Sequence, residues 1–202
     1  MLLSTLIILA YTILSPVFNI GDKGTFSFES ASTVFLEGSS NVTDFTCTCT
    51  QSFTELPFEY VATDNRAALT FTNTILLLQS NKLDCGHSGM NRDMQSTLKS
   101  AEYPTIRLQL LQVLLPTSNF AHSGASFSTK AQIALTIAGV KHNVWLPVEI
   151  TLIAQHQFRI KSALPLLLSD YGLKPPSPLL GLVKVSDTIT VYYDLRVSII
   201  QN

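Results

Sequence analysis

Charge is scarce in this chain. Asp, Glu, Lys and Arg make up 13% of its 202 residues, about half of the roughly 25% usual in soluble domains. The signs nearly balance, 14 acids against 13 bases, for a formal net charge of −1. Without a basic excess the chain has no electrostatic footprint for nucleic acid. Histidine is equally sparse. His87, His122, His142 and His156 stand in no H-x-x-x-H metal spacing, and no serine sits in a G-x-S-x-G elbow. Nucleophilic catalysis needs a base within reach of Ser or Cys and a group behind it to orient the base. The sequence offers no such set, so it reads as non-enzymatic, with no metal and no cofactor. No apolar run reaches the roughly 20 residues of a membrane-spanning helix. The nearest, Leu2 to Leu14, is interrupted by Ser4, Tyr11 and Thr12 and suits the core of a secretory signal better. It has no Lys or Arg before it and no A-x-A site after it. Residues 1–19 are expected to be that signal, leaving residues 20–202 as one domain. No linker divides that domain and no repeat runs through it.

Cysteine is limited to Cys47, Cys49 and Cys85. Exported chains favour a disulfide, and C-x-C with C-x-H is not a closed-zinc spacing. Cys47 and Cys49 share a strand face, so either can reach Cys85 and one thiol is left over.

What the chain has in quantity is apolar surface: hydrophobic residues are 46%, and mean hydropathy is +0.29. Period-two alternation carries most of it. Extended patterns cover Gly24–Ser30, Thr33–Glu37, Val42–Thr50, Leu69–Gln79, Ile106–Leu115, Gln132–Ala138, Val144–Leu152, Phe158–Leu168 and Asp187–Ile199. Gly38 to Asn41 reads as a turn, and Gly139 turns a long hairpin. At Leu111 the alternation changes phase, which predicts a β-bulge. The residues from Ser169 to Gly181, with Gly172, Pro175, Pro176 and Pro178, read as a loop. About eight antiparallel segments at even spacing predict an all-β barrel or sandwich. One helical pattern interrupts them: Met90, Met94 and Leu98 recur every four residues, with Asn91 as N-cap and Asp93 in the first turn. Pro104 ends it.

Three segments together resemble the YceI-like family of exported bacterial lipid-binding proteins. Met90-Asn91-Arg92-Asp93-Met94 through Tyr103-Pro104-Thr105-Ile106 resembles the family's short helix and following strand. Leu135-Thr136-Ile137-Ala138-Gly139-Val140-Lys141 through Trp145-Leu146 resembles its central hairpin, with Lys141 where Thr is common. Ser169-Asp170-Tyr171-Gly172-Leu173, followed by Val185 to Val191, resembles its Asp-Phe-Gly-Ile loop and closing strand. Ser40 to Phe45 is similar to a fourth motif, with Thr43 where His is common. The resemblance spans roughly residues 38–197.

It implies a lipocalin-like up-and-down barrel of about eight strands with one short helix, holding a long apolar lipid such as a polyisoprenoid, an isoprenoid quinone or a fatty-acyl chain. It also prefers Cys47 over Cys49 as the partner of Cys85. The expected location is the periplasm or beyond, and a homodimer is left open. The alternating faces give the candidate lining: Phe71, Ile75 and Leu77; Leu108 and Leu110; Ile133, Leu135 and Ile137; Val144, Leu146, Val148 and Ile150; Phe158 and Ile160; Val191 and Tyr193. Met90 and Met94 line or seal one end, since flexible Met suits an irregular ligand. Arg92 is the candidate for a polar head group. The competing reading is a barrel packed solid with side chains, whose function lies on its surface, above all on the loop from Ser169 to Val185.

Overall fold

The computed structural model describes residues 22–53, 55–63, 67–116, 123–177 and 179–201. The expected signal, His122 and Pro178 lie outside the described residues. Twelve strands and one α-helix follow in chain order: β1 (Lys23–Phe28), β2 (Thr33–Ser40), β3 (Asp44–Cys49), β4 (Glu55–Ala62), β5 (Ala68–Thr72), β6 (Ile75–Gln79), β7 (Leu83–Asp84), α1 (Ser88–Thr97), β8 (Thr105–Leu114), β9 (Ser126–Ile137), β10 (Val140–Ala154), β11 (Gln157–Leu167) and β12 (Val185–Gln201).

Eight of these close a ring in the order β1-β4-β5-β8-β9-β10-β11-β12, and β1 pairs back on β12. Every pairing is antiparallel. The other strands lengthen the wall at one pole. β12 pairs with β1 through Val197–Gln201 and with β2 through Val185–Asp194. β3 pairs with β2, and β6 continues β5 along β8. The result is the expected up-and-down barrel. Its two poles differ. One carries the turn at Ala138–Gly139, the β2–β3 turn, α1 and the β11–β12 connection. The other carries the β10–β11 turn and the start of β1.

Where consecutive strands break, side chains complete the ladder. Between β1 and β2 the Ser32 hydroxyl donates to Arg196 O and accepts from Arg196 N. Between β3 and β4 the Gln51 amide donates to Leu77 O at 2.9 Å and accepts from Gln79 N at 2.8 Å. Each side chain offers a donor and an acceptor where a peptide group would otherwise stand. β8 bulges between Leu110 and Gln112, as the phase change at Leu111 predicts. The core divides into two clusters. Phe58, Tyr60, Ala62, Leu69 and Phe71 form one cluster, the larger cluster fills the other pole, and Leu110 and Val113 pack against both.

Four sequence expectations need correction. First, β4 was not visible as a strand. Its Phe58, Tyr60 and Ala62 alternate inward between exposed Glu59 and Val61, but Pro57 interrupts the pattern. Even-numbered amides of β4 face β1, as Tyr60 N donating to Asp22 O shows, so the N–H that Pro57 lacks would face β5. β5 pairs with residues 59–62 alone, and no ladder bond is lost.

Second, the pattern from Leu69 to Gln79 is two strands. Asn73, at φ 59°, breaks it and reverses the phase. Leu78 is therefore buried and Leu77 is 43% exposed. Ile75 is half-buried on the face of Leu77 rather than that of Phe71. Third, Gly38 lies inside β2, and the turn comes at residues 41–43. Gly38 faces Phe45 across the ladder, and a Cβ on it would lie 2.4 Å from the Phe45 ring.

Fourth, α1 begins four residues early. His87 is its N-cap, its ring accepting from Gly89 N at 3.2 Å, and Asn91 lies within the helix. The helix stops in a Schellman arrangement. Ser100 N donates to Gln95 O and Lys99 N to Ser96 O, with Lys99 at φ 51° in the place glycine usually takes.

The Gln51 bridge gives a direct test. In Gln51→Ala, Leu77 O and Gln79 N lose their partner. The barrel should lose about 1–2 kcal/mol, read as a lower urea midpoint at unchanged m.

Candidate functional site

The barrel interior is the site that the sequence singles out. Residues directly opposite in an antiparallel ladder share a face. Ile133, Leu135 and Ile137 on β9 face Val144, His142 and Val140 on β10. Val148, Ile150 and Leu152 face Ser162, Ile160 and Phe158 on β11, and these face Tyr193, Leu195 and Val197 on β12. Of the expected lining, Phe71, Leu108, Ile133, Leu135, Ile137, Leu146, Val148 and Tyr193 are buried. Leu110, Val144, Ile150, Phe158, Ile160 and Val191 point inward and are only half-buried. Leu77 is not part of the lining, and Ile75 shares its face. Leu76 and Leu78 take their places.

Half-burial on an inward face is informative. A barrel closed tightly on its own side chains leaves such residues inaccessible. Here Phe158 and Ile160 belong to neither core cluster.

At the pole bearing the Ala138–Gly139 turn, α1 packs beside β7 and the 3₁₀ turn Ser80–Lys82. Leu98 is buried in the larger cluster and Met94 packs against it, while Met90 is half-buried. The Tyr103 ring covers Gly139, which adopts φ +80° and where a Cβ would lie 2.8 Å from the ring. Arg92 is exposed on α1 and makes no ion pair among the described residues. Two phenols are set deep in the larger cluster, Tyr171 and Tyr193, 2% and 7% exposed. Burial pushes both phenols above their ordinary pKa, so both are neutral. The Tyr171 ring meets His142 edge-on at 5.1 Å, and His142 Nε2 lies 3.0 Å from Asp170 O. Tyr171 escaped notice because it stands in a short 3₁₀ turn, Ser169–Tyr171, with no periodicity to mark it as buried.

A disulfide holds α1 to the wall. Cys47 on β3 bonds to Cys85, and Cys49 is a free, buried thiol whose pKa burial raises. The pairing is the one that the resemblance implied. Asn91 completes the joint. Its carboxamide accepts from Cys85 N at 2.7 Å and donates to Asp84 at 2.9 Å. With the Gly86 amide, that bond holds the Asp84 carboxyl below the usual range.

Two concavities open on the outer wall. One, about 430 Å³, runs past Phe35 and Tyr192, whose rings stack at 4.8 Å, and reaches Val148 and Tyr193. The other, about 530 Å³, is lined by polar groups that include Glu37, Asp44 and Thr188. Neither gathers a set of His, Cys, Asp or Glu side chains able to hold a metal, among the described residues.

This architecture can be set beside known proteins. The YceI-like domain model matches residues 24–197. The chain belongs to the YceI-like family. That agrees with the motifs between residues 38 and 197 and extends them to β1. Two solved structures share the fold of this YceI-like domain. One is a polyisoprenoid binding domain from Saccharophagus degradans implicated in plant cell wall breakdown, at TM-score 0.61 and 14% identity, covering 87% of this chain and 98% of that one. The other is BcnA of Burkholderia cenocepacia, at TM-score 0.52 and 15% identity, covering 84% and 99%. No curated protein sequence matches the chain.

The cross-link lends itself to measurement. It closes a loop with a sequence separation of 38, for which the chain-entropy model gives roughly 3–4 kcal/mol. Cys47→Ser with Cys85→Ser should lower the unfolding free energy of this YceI-like domain by about that amount. The same loss should follow reduction of the native protein, measured by denaturant titration with and without a thiol reductant.

Proposed function

We propose that this YceI-like domain is a binding protein that holds a long-chain apolar lipid, of polyisoprenoid or fatty-acyl type, within its barrel. The observation that carries this reading is that five inward aliphatic and aromatic side chains, Ile150, Phe158, Ile160, Leu110 and Val191, remain half-buried, and that Phe158 and Ile160 belong to neither packed cluster. The related domain from Saccharophagus degradans, described as polyisoprenoid-binding, supports the ligand class. Transfer of each methylene from water to such a surface is worth about 0.8 kcal/mol. A lipid chain therefore needs no ion pair to bind. The neutral phenols of Tyr171 and Tyr193 supply the polar atoms available to a hydroxyl or carbonyl terminus, in preference to the exposed Arg92. The binding involves no metal, cofactor or nucleic acid and no covalent chemistry. The disulfide and the apolar leader support a place outside the cytoplasm, in the periplasm or secreted.

Mass spectrometry of organic extracts from the purified protein is the test. One apolar lipid species per barrel is the expected result. Leu135→Trp adds bulk without charge on the inner face of β9, and should lower the lipid-to-protein ratio at least fivefold while the barrel stays folded by circular dichroism. A folded variant that keeps the wild-type ratio would move the lipid away from that level of the interior. Wild-type protein without lipid, from a host rich in isoprenoids, would leave the barrel as a packed scaffold that acts through its surface.

A further inference from the structure

The least explained part of the surface lies at the pole bearing α1. Leu179, Leu180 and Leu182 are 69%, 105% and 75% exposed, and Val42 in the β2–β3 turn is 68% exposed. Scattered exposed aliphatic residues are ordinary, but four at one place are not. They are brought together by design of the backbone. The Asn41 carboxamide donates to Leu182 O at 3.0 Å and accepts from Lys184 N at 2.7 Å, and Asn41 N donates to Lys184 O. This clamp seats the β2–β3 turn against the β11–β12 connection. The connection also closes on itself, through Leu182 N to Leu179 O and Val185 N to Pro176 O.

The leucines are held outward against their own preference. Leu179 and Leu180 both adopt the left-handed region, at φ 55° and 56°, followed by Gly181 at 87°. Such backbone is disfavoured for any residue with a Cβ. Here it turns two large apolar side chains into solvent. The connection itself carries charge of one sign, while Asp44 lies on the far side of the β2–β3 turn. Lys174 and Lys184 are the charged residues between Asp170 and Asp187, and no acid lies between those two. Leucines at a tip with lysines behind them match the layering of a bilayer surface, acyl chains beneath anionic head groups.

We infer that the Leu179–Leu182 knuckle, with Val42, is a docking element for a bilayer surface containing anionic phospholipid. This goes beyond lipid carriage, and would hold for a barrel that carried nothing. If docking occurs, α1 and the Ala138–Gly139 turn face the membrane, and the start of β1 and the β10–β11 turn face away.

The experiment places a single tryptophan at either pole of the full-length protein. Trp145→Phe removes the native indole. Leu180→Trp then reports the knuckle and Ile153→Trp the opposite pole. Vesicles of phosphatidylcholine and phosphatidylglycerol at 3:1, with and without brominated acyl chains, are the probe. Trp at position 180 should shift to the blue and be quenched by the brominated lipid at least threefold more than Trp at position 153. Lys174→Gln with Lys184→Gln, or pure phosphatidylcholine, should weaken that quenching several-fold. Equal quenching at both positions, or stronger quenching at 153, would overturn the proposal and assign any membrane contact to another part of the chain. A blue shift at 180 that follows protein concentration and ignores vesicles would overturn it in favour of a second copy covering the leucines. No change at either position would overturn it outright.

Discussion

Closure of the hydrogen-bond ladder between β1 and β12 is the constraint on which the rest depends. Gly24 to Phe28 pair with Val197 to Gln201, and the sheet then has no free edge around its ring. An open sheet of this apolar character would present unpaired strand edges and invite association. A closed one satisfies its backbone internally and fixes which face of every strand points inward. The interior is then set by alternation alone, so its apolar character follows from residues such as Ile133, Leu135, Val148 and Tyr193 standing two apart along their strands.

The ladder tolerates bends because side chains complete it. Ser32 and Gln51 act as local substitutes for peptide groups at the breaks between β1 and β2 and between β3 and β4. Asn73 separates β5 from β6, β8 bulges between Leu110 and Gln112, and Leu110 and Val113 on either side of that bulge pack against both core clusters. The functional reading follows from that geometry. Phe158 and Ile160, inward-facing and half-buried, belong to neither cluster. The disulfide, Asn91 and the Tyr103 ring over Gly139 hold the α1 pole in place.

The long strands were legible because their alternation is uninterrupted. β9 through β12 have the inner faces that their sequences imply, and the bulge in β8 shows as a slip of phase at Leu111. The errors share a cause: local conformation decided by something other than alternation. Pro57 hides β4, yet is harmless because its missing N–H falls beyond the end of β5. Asn73 enters the left-handed region and reverses the phase, which moved Leu77 from the expected lining to the exterior. Gly38 looks like a turn residue and is a space for the Phe45 ring. His87 caps α1 although Asn91 has the stronger intrinsic preference, because Asn91 is committed to Cys85 and Asp84. Tyr171, buried by a turn without periodicity, leaves no sequence signal. The disulfide partner was available only from resemblance, since Cys47 and Cys49 share a face.

The pairing of Gly24 with Gln201 also sets the order in which this molecule can be made. The strand that begins the described chain finds one of its two neighbours only when the strand that ends it has been synthesised. Contacts so distant in sequence are slow to form, since the loop between them must be ordered first. A growing chain can build the β9–β10 and β10–β11 hairpins early, but it holds an open sheet until its last strand arrives. During that interval its apolar faces and strand edges are exposed to other chains. Joining residues 22 and 201 by a short linker and reopening the chain at the turn after β10 would turn the slowest contact into a local one without altering the barrel.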